Sequence, residues 1–434
     1  MALSTQPYKG ARDFYPADKR LQKYMFAKWR QVCELFGYEE YDAPILEPLE
    51  IYLAKTGEEI VNEQTYTFED RGGRKVVIRP EMTPTVSRMV AAKRQELAYP
   101  LRWYSIPNLW RYERPQRGRL REHWQLNVDI FGVADTSAEL EMITLVDAVF
   151  KAFGAEHYMY EIRLNHRQLV DYLLSGYLGL KEKRQRDVSK LIDRFHKMER
   201  ETFLAKLDEI LTAEQRQADV AEKLLSILMA KQLGDLPQEA RNHPAAKELK
   251  VLLDRLKKAG VHAVFDGSLM RGFDYYTGIV FEVFDTNPEN NRSMLGGGRY
   301  DGLVGLFGVD PIPTVGFGWG DVTLANFLEG HDLLPTDRPE TDIYLVTIGG
   351  ADVADIAAAL RYKGLNVAVD STGRKIGDQL KAASKKGIKY ALIVGENELK
   401  TGKLNLKNLV TGEEKTAMAA DLVQQLSGTK RARH

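Results

Sequence analysis

The sequence predicts an α+β chain: a largely antiparallel sheet domain carrying a helical insertion, followed by a small α/β domain. Three observations carry this reading. Strand-like runs at Lys75 to Arg79, Leu101 to Leu109 and Gln125 to Phe131 lie close together, joined by turns or loops rather than crossover helices, which favours antiparallel pairing. Between about residues 165 and 260 the pattern becomes long, charged and helical, with Val188, Leu191, Ile192 and Phe195 at i, i+3, i+4, i+7 spacing. After Leu333 to Thr341, where Pro335 and Pro339 stand among charges, strand and helix alternate as in a compact α/β unit.

Taken in order, apolar residues recur with helical spacing from Leu21 to Phe36, and Gly37 is a candidate C-cap before the extended run Tyr38 to Ile45. A helix is predicted over Ser137 to Phe153. Strands resume at His262 to Phe265 and Ile279 to Phe284, ahead of the glycine cluster Gly296, Gly297, Gly298 and a second glycine run from Gly316 to Gly320. The second domain alternates strand Ile343 to Ile348, helix Val353 to Tyr362, strand Leu365 to Val369, helix Ile376 to Lys385 and strand Tyr390 to Val394. The expected boundaries are 1–335 for the first domain, 341–426 for the second and 427–434 for a basic tail containing Lys430, Arg431 and Arg433.

Composition excludes some classes. Hydrophobic residues at 44% and charged residues at 28% fit a folded globular chain and argue against disorder. Lys plus Arg (61) balance Asp plus Glu (61), so a nucleic-acid contact has to come from local clusters rather than a global field. The single cysteine, Cys33, excludes an intramolecular disulfide, a redox pair and any zinc site with two thiolates. With no apolar leader pattern and no stretch approaching the roughly 18 apolar residues of a membrane span, a cytoplasmic protein with no membrane association is expected.

Three segments can do chemistry. Arg111 to Arg121 places five arginines in eleven residues, with Pro115 and Gly118 marking a loop between strand-like flanks. The guanidinium fork suits phosphate oxygens, so this is a candidate polyphosphate or RNA-backbone site; a plain solvated hairpin also accounts for it. The block from Leu269 to Gly278 sets Tyr275 and Tyr276 beside Arg271 and Asp274, groups able to line a small polar pocket or simply to pack as an aromatic strand. Gly296 to Gly302 is either a close backbone approach to a ligand or a glycine-rich turn.

Together these segments resemble a known family. The unit ending in Phe36-Gly-Tyr-Glu-Glu-Tyr-Asp-Ala-Pro44 resembles motif 1 of the class II aminoacyl-tRNA synthetases, which forms their dimer interface, and Arg111-Tyr-Glu through Asp129 resembles motif 2. Arg271-Gly-Phe-Asp-Tyr-Tyr-Thr-Gly278 and Gly296-Gly-Gly-Arg-Tyr-Asp-Gly302 resemble the two segments peculiar to histidyl-tRNA synthetases. The likeness runs through nearly the whole chain in the family's order. It implies a class II catalytic domain with a helical insertion and a C-terminal anticodon-binding domain, whose anticodon-reading residues are unassigned. Implied partners are L-histidine, ATP with Mg²⁺, tRNA(His) and a second copy of the chain; no metal ligands follow from it.

Carried over by residue, the resemblance places Glu81, Met82 and Thr83 at the amino-acid pocket. Glu81, Thr83 and Gln125 would hold the α-ammonium group, while Asp129 and Tyr276, with Tyr275 beside them, would read the imidazole. Asp129 stands where many members carry Glu. Arg111 and Arg271 would bracket the α-phosphate and the histidine carboxylate, and Arg111, Glu113, Arg119 and Arg121 would meet ATP. Arg114, Gln116 and Arg119 are candidates for the tRNA acceptor end. The third family motif departs: Gly318-Trp-Gly-Asp-Val-Thr-Leu324 puts Thr323 where an arginine usually meets the γ-phosphate. A replacement from the Arg117 to Arg121 loop is expected, since a guanidinium needs only to reach the same oxygens. The alternative is a non-catalytic paralogue, a histidine-binding regulatory subunit of the ATP phosphoribosyltransferase type.

Overall fold

A computed structural model describes residues 3–53, 64–192, 194–195, 198–269, 275–419 and 421–422. Arg271 and the basic tail lie outside the described residues. Two compact units divide the chain, Met1–Leu334 and Pro335–His434.

In the first unit the strands are β1 (Glu39–Glu40), β2 (Leu46–Pro48), β3 (Tyr66–Glu69), β4 (Lys75–Ile78), β5 (Leu101–Ser105), β6 (Asn108–Trp110), β7 (Glu122–Phe131), β8 (Tyr160–His166), β9 (Ala263–Phe265), β10 (Ile279–Asp285), β11 (Ser293–Arg299) and β12 (Thr314–Gly320). The main sheet runs β1-β5-β7-β12-β11-β10-β8-β9, with β6 also paired to β7. Pairing from β5 through β8 is antiparallel, and the parallel pairs are the two outer ones, β1 with β5 and β8 with β9. β2, β4 and β3 make a separate antiparallel sheet.

One face of the main sheet is covered by helices. Pro16–Leu35 starts with proline at its first position, where the missing N–H costs nothing, and buries Met25, Trp29, Val32 and Cys33 along one stripe. It extends further toward the N-terminus than the apolar periodicity predicts, because its first turn is solvated and carries no apolar signal. Gly37, at φ +79°, ends it, and the Tyr38 N–H returns to the Cys33 carbonyl at 3.0 Å. Trp29 lies 6.2 Å from Trp319 of β12, and Phe150 of helix Ser137–Ala152 lies 4.5 Å from the same indole. That helix is tied to the sheet by a bidentate ion pair: Arg299 Nε and Nη2 donate to Glu139 Oε1 and Oε2 at 2.6 and 2.7 Å, both side chains buried.

The opposite face of the central strands is almost bare. In β12, Gly316, Gly318 and Gly320 alternate with Val315, Phe317 and Trp319, so the period of two leaves one face with hydrogen atoms for side chains. β11 lies against it with Gly296 opposite Gly318 and Gly298 opposite Gly316. The glycine clusters are therefore strand interiors, not turns. Gly297 is needed for packing: a Cβ there would overlap the Gly316 carbonyl oxygen and sit 2.6 Å from Phe317 Cβ and 2.7 Å from Phe281 Cζ.

Two predicted strands are shorter than expected. Of Tyr38 to Ile45 only Glu39–Glu40 pairs; Pro44 has no N–H for a ladder, and the Ala43 carbonyl is taken at 2.6 Å by the buried Arg79 guanidinium. Leu101 to Leu109 breaks at Ile106 and Pro107, whose carbonyl accepts from the Gln125 N–H at 3.2 Å. After β8, helices from Arg167–Asp171 to Pro244–Lys258 form the helical segment and return the chain to β9 at the sheet edge.

The second unit has strands β13 (Ile343–Thr347), β14 (Val367–Val369), β15 (Tyr390–Val394), β16 (Lys403–Asn408) and β17 (Glu414–Met418) in the order β14-β13-β15-β16-β17. The first three are parallel and connected through helices Ala354–Tyr362 and Ile376–Lys385; β16 and β17 extend the sheet as an antiparallel hairpin. The α/β alternation predicted this parallel half. The hairpin was not predicted.

The close packing at Gly297 gives a direct test. Gly297→Ala should lower unfolding stability by about 1–3 kcal/mol in a urea titration of the first unit's transition, the usual cost of overfilling a packed core. Gly302→Ala, with nothing within 4 Å of the new methyl, serves as the control and should change it far less.

Candidate active site

The bare sheet face opens into a cavity of about 880 Å³. Its floor is Gly296, Gly316, Gly318 and Gly320; its walls come from the β6–β7 loop, the segment before helix Thr83–Lys93, and the chain entering β10. At one end Glu81, Thr83, Gln125, Tyr275 and Tyr276 converge. Glu81 is held in place through its backbone and its neighbours: Arg111 Nε donates to the Pro80 carbonyl at 2.8 Å, and Tyr52 Oη donates to the Glu81 carbonyl at 3.3 Å. Tyr275 Oη donates to Glu81 Oε2 at 3.4 Å. The glycines allow the side chains their places, since a Cβ on Gly318 would lie 2.7 Å from Gln125 Nε2 and one on Gly298 2.9 Å from the Tyr276 ring.

Asp129 stands directly across from Gly316 on β7, where any Cβ would overlap its carboxylate. Tyr300 is the residue that lines the cavity here, and its hydroxyl donates to Asp129 Oδ1. Burial pushes the Asp129 carboxyl up to about 7, against the lowering effect of the Tyr300 hydrogen bond. Tyr300 is pushed far up as well, by burial and then by the Asp129 charge, so it remains a hydroxyl donor.

The other end is cationic. β6 and the start of β7 form the hairpin whose loop spans Arg111 to Arg121, closed at its tip by the Gln116–Arg119 bridge. Arg111 and Arg119 face the cavity, with Arg119 Nε 2.8 Å from Glu113 Oε2. His123 lines the same cavity, its pKa pushed down to about 3 by burial and by the charges of Arg111, Arg12 and Arg119. It is a neutral ring at physiological pH. Arg292, from the β10–β11 connection, reaches the same end beside Thr323.

The histidyl-tRNA synthetase sequence profile matches residues 10–320, and an anticodon-binding-domain profile matches 342–429. The chain belongs to the histidyl-tRNA synthetase family. It is 43% identical over 429 residues to a histidine--tRNA ligase of Leptospira biflexa, covering 98% of each chain. A chloroplastic/mitochondrial histidine--tRNA ligase of Arabidopsis thaliana is 37% identical, over 97% of this chain and 86% of the relative. Among solved structures, histidyl-tRNA synthetase from Nostoc sp. superposes with a TM-score of 0.81 at 24% identity, covering 99% of this chain and 100% of the other, a likeness of fold.

Measured against the residues the synthetase resemblance implies, Glu81, Thr83, Arg111, Glu113, Arg119, Gln125, Tyr275 and Tyr276 all line the one cavity. Met82 is fully buried beneath it, and Asp129 sits behind Tyr300. Arg121 does not line it: its guanidinium stacks 4.0 Å from the Tyr112 ring centre and donates to Tyr8 Oη at 3.0 Å and the Glu113 carbonyl at 3.1 Å, so it braces the loop from below. Arg114 and Gln116 are exposed on the hairpin loop, outside the cavity. Arg271 lies outside the described residues. Sequence reasoning missed Tyr300, His123 and Arg292, and also Arg163 and Asp266, which pair at 3.2 Å on the far wall. Tyr300 had a signal in its glycine-flanked block; Arg163, Asp266 and Arg292 had none in their local sequence.

The raised Asp129 carboxyl makes stability depend on pH. With a folded value of about 7 above an ordinary 3.8, folding favours the protonated acid. That contribution is complete below the ordinary value and is lost as pH rises through about 7. Asp129→Asn, which keeps an acceptor for Tyr300 and carries no charge, should therefore melt roughly 2–4 °C higher than the parent at pH 8 without histidine, the gap closing toward pH 4.5. Thermal unfolding across that range checks it; an offset independent of pH would show that the carboxyl titrates normally. Histidine-dependent stabilisation should fall in the same variant.

Proposed function

We infer that the chain activates L-histidine with ATP and transfers it to tRNA(His). The observation that carries this reading is one cavity with a carboxylate, amide and phenol end facing a guanidinium end across a side-chain-free floor. The first end suits the ammonium and imidazole of histidine, with Glu81, Thr83 and Gln125 as acceptors for the ammonium and Tyr276 and the Tyr300–Asp129 pair toward the ring. Arg111 suits the meeting point of the histidine carboxylate and the α-phosphate, in concert with Arg271. The other end suits a magnesium-bound triphosphate; Glu113 is the carboxylate that could hold the ion there, and the ion would supply charge neutralisation to the phosphates.

The chemistry follows from that arrangement. A histidine carboxylate oxygen attacks the α-phosphorus, the bond to the β-phosphate oxygen breaks, and pyrophosphate leaves with the electron pair. The adenylate is then attacked by a terminal ribose hydroxyl of tRNA, releasing AMP. No protein nucleophile is required; the residues orient the partners and balance charge as it spreads over phosphate oxygens. Arg114 and Gln116, exposed on the loop, are placed in this reading at the acceptor end, and the second unit reads the anticodon. Two copies would join around the exposed apolar side chains Ile45, Leu46, Leu53 and Phe68. No described helix is long and apolar enough to cross a membrane, and the cytoplasm is the compartment we assign. The non-catalytic regulatory reading is not favoured, because whole-length relatives carry the ligase name.

Histidine-dependent exchange between ATP and pyrophosphate tests the first half-reaction: the full chain should exchange, and a protein that binds histidine without exchanging would sink the enzyme reading. Arg271→Ala should reduce exchange by about a hundredfold or more while the melting temperature holds, as expected for a cation used mainly in the transition state. A chain ending at Leu334 should keep exchange yet charge tRNA poorly; equal charging by both chains would separate the second unit from tRNA recognition.

A further inference from the structure

The triphosphate end of the cavity has a cation that the loop of arginines does not supply. Thr323 occupies the start of helix Asp321–Gly330, and its hydroxyl is committed to the protein, donating toward the Met294 and Gly320 carbonyls at 2.8 and 3.0 Å. It fastens the helix to β11 and offers phosphate no charge. Of Arg117, Arg119 and Arg121, only Arg119 lines the cavity, and Glu113 already partners it. Arg121 is locked beneath the loop, and Arg117 turns to the β10–β11 connection, donating from Nε to Asn290 Oδ1 at 2.9 Å, with Glu289 Oε2 at 3.6 Å from its Nη2.

Arg292 comes from that connection. Its Cδ and Thr323 Cγ2 both lie 3.7 Å from where a Cβ on Gly118 would be, so it sits beside the tip of the arginine loop, and it lines the cavity. No hydrogen bond or ion pair joins its guanidinium to any described residue. The charges of Arg119 and Glu113 act on it, and burial with the Arg119 charge lowers its pKa, a repulsion that an anion would relieve.

The segment behind it is held. Asn290 Nδ2 donates to Asp285 Oδ2 at 2.7 Å and to the Asn326 carbonyl at 3.3 Å, and the Asn287 N–H donates to Asp285 Oδ1 at 2.8 Å. His331 Nε2 lies 2.7 Å from the same buried carboxylate. A half-buried cation on a fixed segment, with no hydrogen-bond or ion-pair partner among the described residues, is organised for an anionic ligand.

We propose that Arg292 binds the terminal phosphates of ATP and the departing pyrophosphate, supplying from the β10–β11 connection the charge that Thr323 does not. The assignment rests on the adenylate-forming reading above. Arg292 holds the β- and γ-phosphates in line while the bond to the α-phosphorus breaks, and its planar fork takes up charge as pyrophosphate leaves.

The test uses the full chain, with Arg292→Ala and Arg292→Lys, in histidine-dependent exchange. Arg292→Ala should raise the KM for ATP and the inhibition constant of free pyrophosphate about 10- to 100-fold, the loss expected for one charge-assisted contact. The inhibition constant of AMP, which lacks those phosphates, and the KM for histidine should stay within about twofold. Arg292→Lys should recover part of the loss. Unchanged ATP and pyrophosphate constants overturn the proposal. So do AMP and pyrophosphate constants raised alike, or a Lys variant no better than Ala, since each assigns Arg292 to general packing. If the parent chain fails to exchange, the adenylation reading falls by itself; pyrophosphate titrated calorimetrically into the parent and Arg292→Ala still decides whether Arg292 holds it.

Discussion

The structure depends on one steric constraint: two adjacent strands at the centre of the sheet must lie together with no side chains on one face. β11 and β12 meet through Gly296 opposite Gly318 and Gly298 opposite Gly316, while Phe317 and Trp319 fill the helix-covered face. A residue with a Cβ at Gly316 or Gly318 would push against Asp129 or Gln125. Glycine weakens an isolated strand, because it packs nothing and gains entropy on unfolding. Here the buried face compensates, with Phe150 within 4.5 Å of Trp319 and stacked on Tyr160 at 4.0 Å. The helix layer and the cavity are thus two consequences of the same alternation.

On that floor charge is graded from end to end. At the carboxylate end the acidic groups are buried, and Asp129 is deep enough that its carboxyl favours the proton until pH reaches about 7. At the guanidinium end the side chains are half-buried and only partly paired, as Arg119 is by Glu113. Fixed charges in a walled site act more strongly on a substrate than they would in water, and they need not reorganise as the reaction proceeds. The neutral His123, on which the Arg111 and Arg119 charges act, contributes shape without adding a further cation.

Legibility in the sequence followed the range of the interaction. Helix Pro16–Leu35, the arginine hairpin and the parallel part of the second unit were readable, because periodicity and turn residues act over a few positions. The glycine clusters were visible, yet as strands they became recognisable only once Phe317 and Trp319 were seen to pack behind them. Tyr41 to Ile45 looked like a continuing strand, but its pairing was cut short where Arg79, thirty-six positions further on, claims the Ala43 carbonyl. Long-range contacts of that kind leave no local pattern. Arg163 and Asp266, 103 positions apart and joined at 3.2 Å, are a wall of the cavity for the same reason.

Thr323 shows why a motif and a charge are different kinds of evidence. A motif records which residue occupies a backbone position; phosphate oxygens respond to a cation at a point in space, whichever segment delivers it. A helix-borne arginine at position 323 and a loop-borne Arg292 would both start beside Gly118, where Thr323 and Arg292 now lie. Delivery from a loop requires that the loop be held, and the Asp285 carboxylate, with Asn287, Asn290 and His331 bonded to it, provides the anchor. Threonine at 323 in turn frees space at the helix start and uses its hydroxyl to bind the helix to β11. The two positions are neighbours: Arg292 Cδ and Thr323 Cγ2 each lie 3.7 Å from the place of a Cβ on Gly118, so a cation on either segment starts from the same side of the arginine loop.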